Sequence, residues 1–508
     1  MKYFKIVAII FLFSFSNIFS QNINPVYTGS FGSVTINNQV YNQFSLRPEL
    51  AFGKIGLGLD LYFYFDQDGN LYEDNWNFSS TKDAYKTLVD KIYYLRWGLP
   101  HDDLYFRIGS LPSITLGNGS LVNSYSNIMD YPRVRRTGFD FQYKFKNFRL
   151  NLVHSDLKEA KEPGLFAIGG TFEYIKNLDI SFNIVTDPNQ RKGLLDSDGD
   201  GYPDFVEPGY ENNSSQWHDN QTILNWLGND CNETISADDC NNLIESIQLE
   251  MQNYSNLLGL DNKEEIIGLS FGLTYSINNN IKLYSEFSQL SGNTFNPYNV
   301  DTQETLYNNY DDKLGYGFIP FGVKAEWSKI TMKLDYRQNS ENYMFDYWDQ
   351  NYDHNRAMIV ENGNESIVMT KEDKLYLYGD SKGASLSLTS NFLKVLQLEM
   401  TYQHLDGNKW DNSLNDYKSD QNSTFFTKLD IDTSKINKVR IAEIFYKQSY
   451  ASKPFSFNPD ENTLFGYNIG VEMADNMILI LKGRKSYVYD DGNYRPVKTT
   501  QIETQIIF

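Results

Sequence analysis

The chain is short of cysteine, proline and positive charge, and it has no long apolar run. Two cysteines in 508 residues cannot staple a scaffold of this size. Only 14 prolines occur, in polar segments between regular stretches, too few for the linkers of a string of small β-sandwich domains. Lys and Arg number 45 against 65 Asp and Glu, a formal charge of −20, which leaves no basic face for nucleic acid. Beyond the N-terminal segment no stretch of about 18 consecutive apolar residues occurs, so no transmembrane helix is expected. Motifs of hydrolases, zinc proteases and nucleotide binders are missing, and the five histidines are scattered. The chain therefore reads as a non-enzyme.

What is present is aromatic and alternating. Tyr and Phe number 37 and 34, and aromatics reach 15%. A mean hydropathy of −0.50 is compatible with a membrane barrel, whose strands are apolar only on alternate residues. Ile55, Leu57, Leu59, Leu61, Phe63 and Phe65 share one face, opposite Asp60, Tyr62 and Tyr64. Phe139, Phe141, Tyr143 and Phe145 oppose Asp140, Gln142, Lys144 and Lys146. Ile330, Met332, Leu334 and Tyr336 oppose Thr331, Lys333, Asp335 and Arg337, and Leu396, Leu398, Met400 and Tyr402 oppose Gln397, Glu399, Thr401 and Gln403. A dry sandwich core rejects such charges, whereas a wet lumen accepts them. The fold class predicted is all-β, a single transmembrane antiparallel barrel over residues 21–508.

Connections alternate in length. Tight turns are expected near Gly53, Pro100, Asn147, Asn177, Asn279, Ser328, Lys394, Lys435 and Asp475. Long polar segments lie between them, at 66–88, 112–133, 156–164, 188–263, 292–312, 340–372, 406–422, 449–462 and 489–495. The spacing predicts about 18–20 strands with long extracellular loops. Residues 1–20 read as a signal peptide, with Lys2 and Lys5 ahead of the apolar Ile6–Phe15 and a boundary at Ser20-Gln21. At the other end Thr500, Ile502, Thr504, Ile506 and Phe508 alternate with Gln501, Glu503 and Gln505, which resembles the terminal signal of outer-membrane barrels.

Four segments hold candidate sites. Asp196, Asp198, Asp200, Tyr202, Asp204 and Glu207 occupy the ligand positions of a calcium loop, with Gly201 at its sharp turn. Pro203 and Pro208 oppose flanking helices, so the stretch resembles thrombospondin type 3 or dockerin-like repeats more than a helix–loop–helix switch. Calcium is the expected structural cofactor, stiffening an extracellular insertion at 188–263. Cys231 and Cys240 are expected to form a disulfide there. The weakly charged segment 112–133 is a candidate for folding into the lumen as a constriction. Arg133, Arg135 and Arg136, with the inward Asp335 and Arg337, are candidates either to line a pore or to pair with lumen acids. Segment 340–362 mixes Tyr343, Phe345, Tyr347, Trp348 and Tyr352 with Asp346, Asp349 and Asp353, a surface that can stack on sugar rings or contact a partner, though an interface girdle and solvated loop is expected first.

The Phe19-Ser20-Gln21 boundary, the Asn- and Tyr-rich strands and Phe508 together resemble outer-membrane barrels of Bacteroidota. The segment from LYFRIGSLPSITLGNGS to YPRVRRTGFDFQY is similar to uncharacterised barrels of that group, and the chain does not resemble TonB-dependent transporters, which have a longer barrel and an N-terminal plug domain. The resemblance implies the outer membrane and its lipid as surroundings. A porin-like channel for passive passage of small solutes is expected first, and a non-conducting assembly, secretion or surface-interaction component with a protein partner second.

Overall fold

The computed structural model describes residues 26–194 and 263–507 apart from short breaks, the longest at 300–311, together with residues 242, 246 and 249. Within them the chain forms one closed antiparallel barrel. Twenty strands pair with their neighbours in sequence, the third being split at Asp60 into Ile55–Leu59 and Leu61–Phe65. The last strand, Asn493–Ile507, closes onto the first, Val26–Ile36, from Thr28↔Ile507 to Gly32↔Glu503. Closure leaves no free edge, the condition for crossing lipid with strands.

The two rims differ as the loop lengths predict. One carries tight turns at seven of the nine expected places, with Gly53 and Asn177 in the left-handed region that these residues tolerate best, and the other two, at Lys394 and Lys435, lie outside the described residues. The other carries the long segments. Two of those are shorter than expected: 406–422 is mostly a hairpin, Leu396–Asp411 with Asp416–Ile431, and within 489–495 strand runs to Asp490 and resumes at Asn493. Polar alternation continues past the membrane there, so a composition-based reading mistook paired strand for loop.

The two faces of the wall follow the alternation. Phe182, Leu269, Phe271, Leu273, Phe287, Phe318, Leu334 and Tyr336 stand exposed on the outer surface. Their neighbours within the same strands, Asn183, Ser270, Glu286, Asp335 and Arg337, are buried inside. A row of bare aromatic and aliphatic side chains around a closed barrel is unfavourable in water and is what a bilayer solvates. No helix among the described residues is long and apolar enough to cross a membrane. The membrane is crossed by strands, and a strand-spanning barrel of this size belongs in an outer membrane.

Candidate functional site

The principal apolar core of this barrel lies inside its lumen. Two segments from the loop rim, 110–137 and 340–377, fold inward and pack on one another. The first is a finger. Ile114 and Tyr125 bond backbone to backbone at 2.8 and 2.9 Å, and Leu116 donates to the Val122 carbonyl at 3.2 Å. Its tip turns through Gly117 and Gly119, both at positive φ. A Cβ on Gly117 would stand 2.6 Å from a Glu286 carboxylate oxygen, so only glycine fits. That closeness has a purpose: Glu286, 1% exposed on the inner wall, accepts the N–H groups of Asn118 at 2.5 Å and Ser120 at 2.9 Å. Lys333, on the next wall strand but one, donates to the Asn118 carbonyl at 2.5 Å.

The second segment lies against the first. Val122–Asn123 and Trp348–Asp349 pair in parallel, with Trp348 N–H donating to the Leu121 carbonyl at 2.9 Å and Asp346 N–H to that of Ser120 at 2.9 Å. Tyr343, Phe345, Tyr347, Trp348 and Tyr352 are at most 1% exposed. The girdle expected over 340–362 is therefore corrected: these aromatics are core, and no bilayer or solvent meets them. Each buried hydroxyl finds a partner, as burial of Tyr requires. Tyr343 meets Ser288 Oγ at 2.5 Å, Tyr347 donates to Gln190 Oε1 at 2.7 Å and Tyr352 to Asp187 Oδ2 at 2.8 Å.

Charges fasten both segments to the wall and to each other. Arg337 lies 2.7 Å from Asp335 on its own strand and 3.1 Å from Asp346 of the second segment. Arg356 reaches Asp187 at 3.1 Å, at the end of the strand Leu178–Asp187. Arg135 reaches Asp60 at 3.3 Å, where the third strand breaks, and Arg136 lies 3.7 Å from Asp353. Lys447 pairs with Asp349. Breaking such a buried pair strands the remaining charge and costs about 3–5 kcal/mol.

The inner wall is not covered evenly. Along Leu396–Asp411 the inward Gln403 and Leu405 are 2% and 1% exposed near the loop rim, while Glu399 toward the turns is only half-buried. The same holds for Lys428, Glu443, Lys482 and Glu503 on the following strands, where Lys428–Glu443 and Lys482–Glu503 pair at 2.9 and 3.0 Å. Water thus reaches a row of mixed charge on the turn side, and the loop-side half holds the packed core.

Of the residues singled out from sequence, Arg135, Asp335 and Arg337 are brought to the contacts between wall and inward segments, while Arg136 joins the two inward segments through Asp353. Arg133, the six calcium-motif residues Asp196, Asp198, Asp200, Tyr202, Asp204 and Glu207, and both Cys231 and Cys240 lie outside the described residues. Sequence reasoning missed Glu286 and Asp187. Glu286 is the lone acid of its strand Ile281–Ser291, which is the signal that marks it, whereas Asp187 shares the inward face of its strand with Asp179 and has no such signal.

No protein-family model matches the chain, and no curated protein matches it. Solved structures similar to it include OccK11 (OpdR) of Pseudomonas aeruginosa, at 9% identity over 96% of this chain and 95% of that one, with a TM-score of 0.30. A copper transporter, OprC, is similar at 8% identity over 96% and 81%, TM-score 0.36, and a triple mutant of Rhodopseudomonas blastica porin at 9% over 96% and 100%, TM-score 0.26.

Proposed function

We propose that this barrel is an outer-membrane channel that passes small hydrophilic solutes by diffusion past its inward-folded segments. The observation that carries the reading is the uneven lining. The turn-side inner wall keeps charged side chains in contact with water, and the loop-side half is narrowed by segments 110–137 and 340–377. A sealed lumen is better filled by packed apolar residues than by half-exposed charge, since a charge cut off from bulk water is costly and a solvated one is not. In a pore the same row holds ions and sugars weakly enough to let them leave. Arg135, Arg136, Asp335 and Arg337 act in this reading by setting the position of the constriction, which fixes its width. The test is conductance of the purified protein in planar bilayers, with defined single-channel steps expected. A protein that inserts and stays silent, with and without the inward segments, ends the channel reading.

The second reading, a non-conducting assembly, secretion or surface-interaction component, is favoured by one observation: the inward segments form a continuous apolar core with the wall. Solute exclusion in liposome swelling, together with silence in bilayers, selects it.

The calcium motif enters as a proposal about the outer insertion. Calcium bound by Asp196, Asp198, Asp200, Asp204 and Glu207, with the Tyr202 carbonyl, stiffens residues 188–263. Chelation should then expose this insertion to protease, and Asp196→Ala with Asp198→Ala should expose it whether calcium is present or not. Equal cleavage with and without calcium in the unaltered protein removes the proposal.

A further inference from the structure

Both ends of the outer insertion meet the second inward segment at a buried patch with more carboxyl groups than cations. Glu264 stands just ahead of the strand Ile266–Ser276, and Arg191 in the short turn Gln190–Gly193 lies 3.1 Å from it. Gln190 joins the pieces. Its backbone N–H donates to the Glu264 carbonyl at 2.8 Å, its side-chain Nε2 donates to Glu372 at 2.7 Å, and its Oε1 accepts from Tyr347 at 2.7 Å. Glu372 and Asp373 are the last acids of the inward segment, 2% and 1% exposed. Asp373 accepts the Thr370 N–H at 2.7 Å through Oδ2, while its Oδ1 is buried and has no hydrogen-bond donor among the described residues. The carboxyl of Glu264 lies within hydrogen-bonding reach of Asp373.

Asp373 is buried and Glu264 is 17% exposed, and two carboxylates in contact there beside one guanidinium repel each other unless a proton lies between them. The other charges facing this patch are engaged elsewhere. Asp187 is held by Arg356 and Tyr352, Lys371 donates to the Tyr347 carbonyl at 2.6 Å, Lys374 points to Met358, and Lys263 pairs with Glu162 at 2.5 Å on the outside. We propose that Glu264 and Asp373 share one proton and form a pH-sensitive latch, which holds inward segment 340–377 against the base of the outer insertion and lets it go when the proton leaves. A protonated Glu264 donates to Asp373, whose Oδ1 has no other donor among the described residues, so losing that proton sets like charge across the joint. Burial and the neighbouring Asp373 push the Glu264 carboxyl up to about 8, and burial raises Glu372 as well. A raised acid stabilises the folded joint fully below the ordinary glutamate range, and that contribution is lost as pH rises through about 8.

The latch concerns the seating of the inward segment and stands whether or not the barrel conducts. It is read by hydrogen exchange of the Asp346 and Trp348 amides, corrected for the intrinsic rate, in the detergent-solubilised full chain. Between about pH 7 and pH 9 their protection should fall about tenfold or more in the unaltered protein. Glu264→Gln, which supplies a donor that does not titrate, should keep them protected throughout. Arg191→Gln removes a cation that favours the ionised form and should move the loss to higher pH. Protection that is constant in the unaltered protein, or lost alike in it and in Glu264→Gln, overturns the latch. If Glu264→Gln does not fold, an unmoved transition in Arg191→Gln overturns it.

Discussion

The two halves of the lumen treat charge in opposite ways. On the loop side, Arg337 is locked to Asp335 at 2.7 Å with almost no exposure of either, and reaches Asp346, which is 23% exposed, at 3.1 Å. On the turn side, Lys428 and Glu443 make a pair of similar length, 2.9 Å, with water around both. Distance alone does not separate them. In the dry half each charge has been stripped of solvent and depends on its partner, so the pair dictates where the inward segment sits. In the wet half solvent competes, so the pair adds little to stability and remains free to meet a passing ion.

The comparison breaks most sharply if the dry half is emptied. Replacing residues 340–377 by a short turn should raise single-channel conductance several-fold, because the wall strands on either side remain paired with each other. An unchanged conductance would mean that the segment does not narrow the path. Next in size, Arg337→Ala leaves Asp335 and Asp346 without their guanidinium and should cost about 3–5 kcal/mol in the denaturation midpoint. Glu286→Gln keeps one acceptor but sets an amide against the N–H groups of Asn118 and Ser120, for about 1–2 kcal/mol. The smallest effect belongs to the wet half. Lys428→Ala should cost under about 1 kcal/mol, yet shift the reversal potential toward cations in a salt gradient. If it destabilises as much as Arg337→Ala, the two halves do not differ as described.

Much of the wall was legible in the sequence because a strand's period is local. The opposition of Leu334 and Tyr336 to Asp335 and Arg337 needs nothing beyond neighbouring residues, and the structure gives each the expected face. The turns at Gly53 and Asn177 were legible for the same reason. The second inward segment was not. Tyr343, Phe345, Tyr347 and Trp348 have the composition of a membrane-interface girdle, and what decides their place is Ser120, Leu121 and Ser288, far away in the chain. Segment 112–133 was half legible: low charge pointed to the lumen, but neither its Glu286 anchor nor its pairing with Trp348 has a local signature. The clustered arginines left two roles open, and only the partners Asp60 and Asp353 show how they are held.

The parallel pairing of Val122–Asn123 with Trp348–Asp349 also bears on the order of assembly. Wall strands pair with their neighbours in sequence, every other connection being a tight turn of little entropic expense, apart from the closing pair of Val26–Ile36 with Asn493–Ile507. The crossing in the lumen joins residues more than 200 positions apart, and its anchors Glu286, Arg337 and Lys447 are spread over separate wall strands. A long loop must be closed before these contacts return anything. The wall should therefore form first as an unfilled cylinder, and the lumen should set last, as a slow phase in which Trp348 becomes shielded after strand content is complete.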